Sequence, residues 1–286
     1  MILGIDAGGT HTRFILFDDK GEILNKQTLD TMHFMKVGYE GIRQRLLEYK
    51  EMMDSQGYET DSFKVAIGIA GYGQDSIIRE NIELKVHSVF KEAKIYNDAE
   101  FALISALENK DGVFVISGTG SIALSRINDE ISRAGGFGYL LDDAGSAFWI
   151  GKKILEVFVR QTDGREQMTE LHGFILGKLK MTNPYEIIQK VHLENENYRN
   201  FVASLAYITK DLDDTLLFSI YSKAGEELAQ LANVFNLDVD TKISVGGSVL
   251  LKNKKVSQSF KKHLNKNFEF VEAIHPVEYA AYLIYR

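Results

Sequence analysis

The sequence predicts an α/β fold made of two units that share one pattern of strands and turns. Strand, glycine turn, strand, polar turn and strand occur in that order from residue 2 and again from residue 112, about 110 residues apart. After the first meander, helical and strand patterns alternate. The length of 286 residues also suits about two domains. The repeat indicates a duplicated unit.

The first unit opens with a predicted meander of three strands at residues 2–5, 13–17 and 22–28. Its first turn contains Gly8-Gly9-Thr10, and its second contains Asp, Lys and Gly. The periodicity then predicts helices at 38–57, 76–90 and 99–107, and strands at 63–70 and 94–96.

The second unit repeats the meander, with a turn at Gly118-Thr119-Gly120 and strands predicted at 113–116, 122–127 and 130–134. Residues 146–236 are almost entirely helical in pattern, and one long amphipathic helix is expected at 217–235. The remaining predictions are a strand at 242–245, a turn at Gly246-Gly247-Ser248, a helix at 256–264, a strand at 268–271 and a last helix from Val277 with Pro276 as its first residue.

Composition excludes several classes of protein. With 45% hydrophobic and 26% charged residues, the chain is typical of a globular protein and not of a disordered, coiled-coil or collagen-like one. A net charge of −7 would repel nucleic acid on average. No apolar run approaches the roughly 18 residues that span a bilayer, and an acidic residue follows the start too closely for a signal peptide. We therefore expect a cytoplasmic protein that binds neither nucleic acid nor membrane.

The absence of cysteine excludes disulfides, thiolate metal sites and a thiol nucleophile. The seven histidines show no ligand spacing, so a zinc site is not expected. No G-x-S-x-G elbow is present either.

The turn Gly8-Gly9-Thr10 follows a strand whose last residue is expected to be Asp6. Glycines let backbone N–H groups approach a phosphate, and a carboxylate at a strand end can hold a metal ion or its water. A tight hairpin is the alternative explanation of one such turn. Because similar turns recur at Gly118-Thr119-Gly120 and Gly246-Gly247-Ser248, phosphate binding is favoured.

Two glycine motifs point to other chemistry and fail. Residues 118–123 fit the dinucleotide fingerprint G-x-G-x-x-A, but that motif opens a helix, whereas the residues after this turn are strand-like. Residues 173–178 resemble a P-loop but lack one residue between the glycines, and Leu179 stands where Ser or Thr is needed.

Asp98 lies between a predicted strand and a predicted helix. The position suits a helix N-cap, and it also suits ligand chemistry at the carboxyl end of a strand. Asp142 and Asp143 present the same ambiguity before the helix that contains Trp149.

Five stretches of the chain together resemble the N-acetylglucosamine kinases of the BadF/BadG/BcrA/BcrD group, within the actin, sugar kinase and Hsp70 superfamily. In order they are residues 4–13, Asn97-Asp98-Ala99, residues 116–121, Gly135-Gly136-Phe137-Gly138-Tyr139 and residues 143–151. These matching stretches lie between residues 4 and 151, which is about half the chain. Beyond residue 151, only residues 245–248 resemble the family.

The resemblance implies two RNase H-like lobes that close over a cleft holding Mg-ATP and a sugar. The lobes would comprise residues 1–110 with 275–286, and residues 111–274 with a helical insertion. Asp6 would hold magnesium through water, and Asp98 would be the catalytic base. ATP would be bound by Gly8, Gly9, Thr10, Gly118, Thr119, Gly120, Gly246, Gly247 and Ser248. The sugar would be bound by His33, Asp98, Gly136, Phe137, Gly138 and Asp143.

This chain departs from the family pattern on the sugar side. The family usually has Gly-Asp-Glu-Gly-Ser where residues 142–146 read Asp-Asp-Ala-Gly-Ser, and His33 aligns with an asparagine that the family commonly offers to the sugar. The acceptor is therefore open among N-acetylglucosamine, glucosamine and N-acetylmuramic acid, with phosphorylation expected at the 6-hydroxyl.

Alternative hypotheses remain. A sugar or nucleotide sensor of the same fold would bind ligands without forming ADP, and a dinucleotide oxidoreductase would bind NAD or NADP tightly. Activators of 2-hydroxyacyl-CoA dehydratases resemble this chain in their ATP turns, but they hold an iron–sulfur cluster with cysteines. Because this chain has no cysteine, the hypothesis of such an activator is excluded. A homodimer is expected from family analogy alone.

Overall fold

The computed structural model describes residues 1–73, 75–192, 198–235 and 240–286. The chain divides into two compact units. The first comprises Met1–Asp111 and Glu272–Arg286, and the second comprises Gly112–Val271. Each unit contains one mixed sheet of five strands.

The strands are, in chain order, β1 (Ile2–Ala7), β2 (His11–Phe17), β3 (Ile23–Asp30), β4 (Lys64–Ile69), β5 (Lys94–Asn97), β6 (Gly112–Ser117), β7 (Ser121–Ile127), β8 (Glu130–Gly135), β9 (Thr241–Gly246) and β10 (Phe268–Phe270). The helices are α1 (Phe34–Ser55), α2 (Ser76–His87), α3 (Asp98–Ala106), α4 (Ala147–Thr162), α5 (Glu170–Lys178), α6 (Glu186–His192), α7 (Tyr198–Ile208), α8 (Thr215–Asn233), α9 (Ser248–Lys252), α10 (Lys254–His263) and α11 (Ala280–Tyr285). Short 3-10 helices lie at Thr60–Ser62 and Val277–Tyr279.

The two sheets have the same topology. The strand order is β3-β2-β1-β4-β5 in the first unit and, read in the same sense, β8-β7-β6-β9-β10 in the second. In each, the first three strands in sequence form an antiparallel meander, and the next two strands add in parallel beside the first. The predicted duplication and the two-lobed actin/hexokinase-like fold class are thereby confirmed.

Each unit has its own apolar core. In the first unit, β2 packs on α1, where the rings of Phe14 and Tyr49 stack with centroids 4.2 Å apart. The carboxyl-terminal segment returns to this unit. A Cβ atom on Gly4 would lie only 2.0 Å from the carbonyl oxygen of Glu278, so glycine in β1 lets that segment pack closely.

Several element boundaries differ from the sequence prediction. Helix α1 begins at Phe34 instead of residue 38, since His33 caps it and Gly38, with φ of 68°, forms a kink inside it. The predicted turn at 246–248 leads directly into the short helix α9, which the sequence pattern did not predict. Pro276 precedes a 3-10 turn instead of starting the last helix.

The helical stretch predicted at 146–236 consists of five helices, α4 to α8, in the part of the chain that is described. The amphipathic helix expected at 217–235 is α8, which ends at Asn233. The end of the predicted stretch, Asn236, lies outside the described residues.

Residues 121–127 form strand β7, so the G-x-G-x-x-A motif does not open a helix, as predicted. No helix within the four described ranges is both long and apolar enough to cross a bilayer.

Candidate active site

The carboxyl end of β1 carries Asp6, whose cross-strand neighbour on β2 is Arg13. The two side chains form an ion pair. The Nε atom of Arg13 also lies 2.9 Å from Oε1 of Glu278, a carboxylate that is only 1% exposed. Burial raises the pKa of Glu278. Arg13 therefore holds two carboxylates at this end of the sheet, and the orientation of Asp6 depends on it.

The first glycine turn, Gly8-Gly9-Thr10, connects β1 to β2. A Cβ atom on Gly9 would meet no described atom within 4 Å, and one on Gly8 would only touch the His11 carbonyl oxygen at 3.4 Å. Neither glycine has the positive φ that favours this residue type. Neither internal packing nor backbone conformation thus requires glycine here, and the turn leaves space in which a ligand can approach the backbone.

Two side chains hold the carbonyl groups of this turn. The Thr31 hydroxyl donates to the Gly8 oxygen at 2.8 Å, and the Lys36 amino group donates to the Gly9 oxygen at 2.6 Å. The sequence predicts no role for either residue, because each lies more than 20 positions from the turn.

Asp98 is the first residue of α3 and lies directly beyond the end of β5. Because β1, β4 and β5 are parallel, Asp6 and Asp98 share one edge of the sheet. Burial, reinforced by the negative charge of Asp6, raises the pKa of Asp98 to about 6, although a hydrogen bond from the Ala99 amide opposes the shift. A carboxylate with such a pKa is ionised at neutral pH and can accept a proton.

The N-cap role that the sequence allowed for Asp98 belongs to Asn97. The Asn97 side chain accepts from the Ala99 amide at 3.0 Å, and Glu100 completes a capping box. Asn97 also donates to the carbonyl oxygen of Tyr72 at 3.1 Å, which fixes the β5–α3 junction. Asp98 is therefore not needed to cap the helix.

His33 is the N-cap of α1, and its Nδ1 atom accepts a hydrogen bond from the Met35 amide at 3.3 Å. Its ring stacks on Phe34 with centroids 5.5 Å apart. Burial and the nearby charge of Lys36 lower the pKa of His33, so the ring is neutral at pH 7. With Nδ1 occupied as an acceptor, Nε2 carries the proton and can donate to a ligand.

The second glycine turn, Gly118-Thr119-Gly120, connects β6 to β7. Its carbonyl groups are held by the start of α4, since the Ala147 amide donates to the Gly118 oxygen at 2.8 Å and the Phe148 amide donates to the Thr119 oxygen at 3.4 Å. A Cβ atom on Gly118 would meet no described atom within 4 Å. This turn therefore also leaves open space over its first glycine.

The turn at Gly246-Gly247-Ser248 packs against the second glycine turn. Gly247 has φ of 85°, and a Cβ atom there would lie 2.2 Å from the Ser117 carbonyl oxygen. Glycine is therefore required at 247 by both conformation and packing. Two of the three sequence-predicted ATP turns thus lie together in the second unit.

Asp143 lies directly beneath the second glycine turn. Its side chain is buried, and a Cβ atom on Gly120 would approach its Oδ2 atom to 2.7 Å. The Nη2 atom of Arg199, on α7, lies 3.7 Å from the same oxygen. Burial raises the pKa of Asp143, although amide hydrogen bonds and Arg199 oppose the shift. Arg199 belongs to none of the sequence motifs, so the sequence predicts no role for it.

The loop at Gly136, Phe137 and Gly138 follows β8. Both glycines have positive φ, 75° and 91°, and the Phe137 ring is 69% exposed. Arg133 holds this loop, because its Nε and Nη2 atoms donate to the carbonyl oxygens of Gly135 and Gly136 at 2.9 and 2.5 Å. Its guanidinium also lies over the Phe137 ring.

A magnesium site can be tested against these side chains. No group of three or more His, Cys, Asp or Glu side chains that could hold a metal occurs among the described residues. Mg²⁺ needs no such group, since it commonly binds through one carboxylate, several waters and the phosphates of its nucleotide. Asp6, beside the first glycine turn, fits that requirement.

Known proteins of similar sequence include two amino-sugar kinases. An N-acetyl-D-glucosamine kinase from Dictyostelium discoideum is 30% identical over 253 residues, which cover 82% of this chain and 78% of that protein. An N-acetylmuramic acid/N-acetylglucosamine kinase from Clostridium acetobutylicum is 29% identical over 290 residues, which cover 96% and 93% of the two chains.

Solved structures share the fold. A candidate N-acetylglucosamine kinase from Chromobacterium violaceum superposes with a TM-score of 0.77 at 19% identity, over 99% of this chain and 98% of that one. A ROK family glucokinase from Streptomyces griseus gives 0.57 at 15% identity with the same coverage. The model of the BadF/BadG/BcrA/BcrD ATPase family matches residues 3–281. The resemblance read from the sequence is confirmed, and the chain belongs to the BadF/BadG/BcrA/BcrD ATPase family.

Proposed function

We propose that this protein is an amino-sugar kinase that transfers a phosphoryl group from ATP to N-acetylglucosamine or to a related acceptor, glucosamine or N-acetylmuramic acid. The acceptor atom is the 6-hydroxyl oxygen, and Asp98 is the general base. One observation carries the proposal: an open glycine turn, Asp6 and a carboxylate with a pKa of about 6 share one edge of the first sheet. Family membership and the kinase relatives support it.

Phosphoryl transfer asks a protein mainly to position the reactants and to neutralise charge. The backbone amides at Gly8, Gly9 and Thr10 serve this role in the first unit. In the second unit the same role falls to Gly118, Thr119 and Gly120, with the nucleotide also contacted by Gly246, Gly247 and Ser248. Asp6 would hold magnesium through water, and the ion would supply positive charge to the phosphates.

Asp98 accepts the proton of the sugar hydroxyl as the oxygen attacks the γ-phosphorus. The bond from this oxygen to phosphorus forms while the bond to the β-phosphate oxygen breaks, and ADP leaves. A base with a pKa of about 6 is ionised at pH 7.5, yet it remains basic enough to take the proton late in the transfer.

The sugar is bound by His33, Gly136, Phe137, Gly138 and Asp143, with Asp98 at the reacting hydroxyl. His33 can offer its Nε2 proton to an acetamido or hydroxyl oxygen, since its Nδ1 atom caps α1. We also propose, on family analogy, that the enzyme is a cytoplasmic homodimer.

The test is ADP release by the purified protein with Mg-ATP and a panel of N-acetylglucosamine, glucosamine, N-acetylmuramic acid, N-acetylmannosamine and glucose. We expect turnover that depends on an amino sugar, with the 6-phosphate as product by NMR. Turnover with glucose alone would contradict the substrate assignment. If no sugar of the panel supports ADP release while Mg-ATP still raises the melting temperature, the kinase proposal is wrong and a sensor of the same fold is favoured.

A further inference from the structure

We propose that Thr31 and Lys36 are positioning residues for the phosphates of ATP. They fix two peptide groups of the first glycine turn so that the N–H groups of Gly9 and Thr10 are presented to the nucleotide. The inference rests on the proposed function, because it concerns the ATP site of that kinase.

The geometry of the peptide bond carries the first step. In a trans peptide, the carbonyl oxygen of one residue and the N–H of the next point in opposite directions. Thr31 holds the Gly8 oxygen, and this fixes the direction of the Gly9 N–H. Lys36 holds the Gly9 oxygen, and this fixes the direction of the Thr10 N–H. Both amides therefore point away from the segment that carries Thr31 and Lys36.

Space around the turn carries the second step. Gly9 and Thr10 are exposed, and a Cβ atom on Gly9 would meet no described atom within 4 Å, so a ligand can approach this turn. Successive N–H groups of this kind form an anion-binding concavity. If the peptide planes of the turn were not fixed, they would become ordered only when the nucleotide binds. That ordering would lower the affinity, because it costs conformational entropy.

Thr31 is itself held in place. Its hydroxyl accepts a hydrogen bond from the His33 amide at 3.1 Å while it donates to Gly8. The next amide, that of Met32, donates to the Thr12 hydroxyl on β2 at 3.2 Å. Thr31 and Met32 thus attach this segment to the β1–β2 hairpin through two hydrogen bonds. Thr31 also links the first glycine turn to His33, the residue proposed to contact the sugar.

Lys36 contributes charge as well as a hydrogen bond. It lies in the first turn of α1, which the kink at Gly38 separates from the rest of the helix. The side chain is exposed, and its ammonium group is 2.6 Å from the turn. A positive charge at this place favours an anionic phosphate over a neutral ligand.

The experiment compares Thr31→Val and Lys36→Met with the parent enzyme under steady-state kinetics. We expect each to raise KM for ATP about tenfold, the scale of one hydrogen bond involving a charged group, with KM for the sugar changed less than about twofold. Thr31→Ser and Lys36→Arg should restore the parent values. Lys36→Gln, which keeps a donor and loses the charge, should fall between them.

A binding measurement separates positioning from a general structural role. By calorimetry, ADP should bind the Thr31→Val and Lys36→Met proteins about tenfold more weakly, and adenosine should bind all proteins equally, since it has no phosphate. Lys20→Met is the matched control, because Lys20 is also exposed but lies in the β2–β3 turn at the opposite edge of the sheet.

Equal weakening of ADP and adenosine, or an unchanged KM for ATP in both variants, would overturn the inference. The calorimetric arm does not require turnover. If no sugar supports ADP release, the kinase proposal fails, while a selective loss of ADP binding still assigns the positioning role.

Discussion

The two glycine turns occupy the same place in two sheets of the same topology, but their carbonyl groups are held by different donors. In the turn at Gly8-Gly9-Thr10 the donors are side chains, Thr31 and Lys36. In the turn at Gly118-Thr119-Gly120 they are backbone amides at the start of α4. These amides have no partner within their own helix, so the helix start supplies them without any particular side chain.

This difference determines what a substitution can change. A turn held by backbone amides tolerates side-chain variation around it, whereas a turn held by two side chains can be altered by one substitution. The carboxylates differ in the same sense. No positive charge among the described residues is a main cause of the shifted pKa of Asp98 in the first unit. Asp143 in the second unit, by contrast, is paired with Arg199. We therefore expect single substitutions to alter the reaction more readily in the first unit than in the second.

The largest expected difference between the units is at these carboxylates. Asp98→Asn should lower kcat by about 10²–10⁴-fold, since it removes the proposed general base. Asp143→Asn should mainly raise KM for the sugar, because Asp143, which is paired with Arg199, is proposed to bind the sugar and not to take its proton. Steady-state kinetics on both variants would measure this, and equal losses of kcat would break the comparison.

The next effect concerns stability. Because the pKa of Asp98 is raised from 3.8 to about 6 in the folded protein, its ionisation opposes folding. This destabilisation is absent below about pH 4, grows between about pH 4 and pH 6, and is nearly constant above that range. At pH 8, Asp98→Asn should be more stable than the parent by about 1–3 kcal/mol, and the gap should close towards pH 4.

Urea unfolding of both proteins at several pH values would measure the gap. A variant less stable than the parent at pH 8 would show that Asp98 supports the fold instead of the reaction. Asn97→Ala is the contrasting substitution, since loss of the α3 cap should cost about 1 kcal/mol at every pH.

The smallest expected effects come from alanine substitutions that compare the first and second glycine turns. Gly9→Ala and Gly118→Ala should each fold normally, because the added methyl group meets no described atom within 4 Å. Each should nevertheless raise KM for ATP by about tenfold, since the methyl group enters the space that we propose for the phosphates. Gly247→Ala should instead lower the melting temperature, because a Cβ atom there lies 2.2 Å from a carbonyl oxygen. Normal KM values in the first two variants would remove the turns from the ATP site.

Local patterns were sufficient to predict much of this molecule. Alternating apolar runs and glycine turns located the strands, and the strand after Gly120 correctly excluded the dinucleotide motif. Boundaries were less well predicted where a side chain decided them. His33 starts α1 earlier than its periodicity suggested, and Asn97 takes the cap that the sequence left open for Asp98.

The sequence by itself determined the fold class, the family and the residue types that can carry the chemistry, because these depend on short-range periodicity and on motifs of adjacent residues. Only the tertiary structure decided which groups hold those motifs. Thr31, Lys36 and Arg199 are far in sequence from the turns and the carboxylate they contact. The pKa of Asp98 likewise depends on burial and on Asp6, which the fold brings to the same sheet edge.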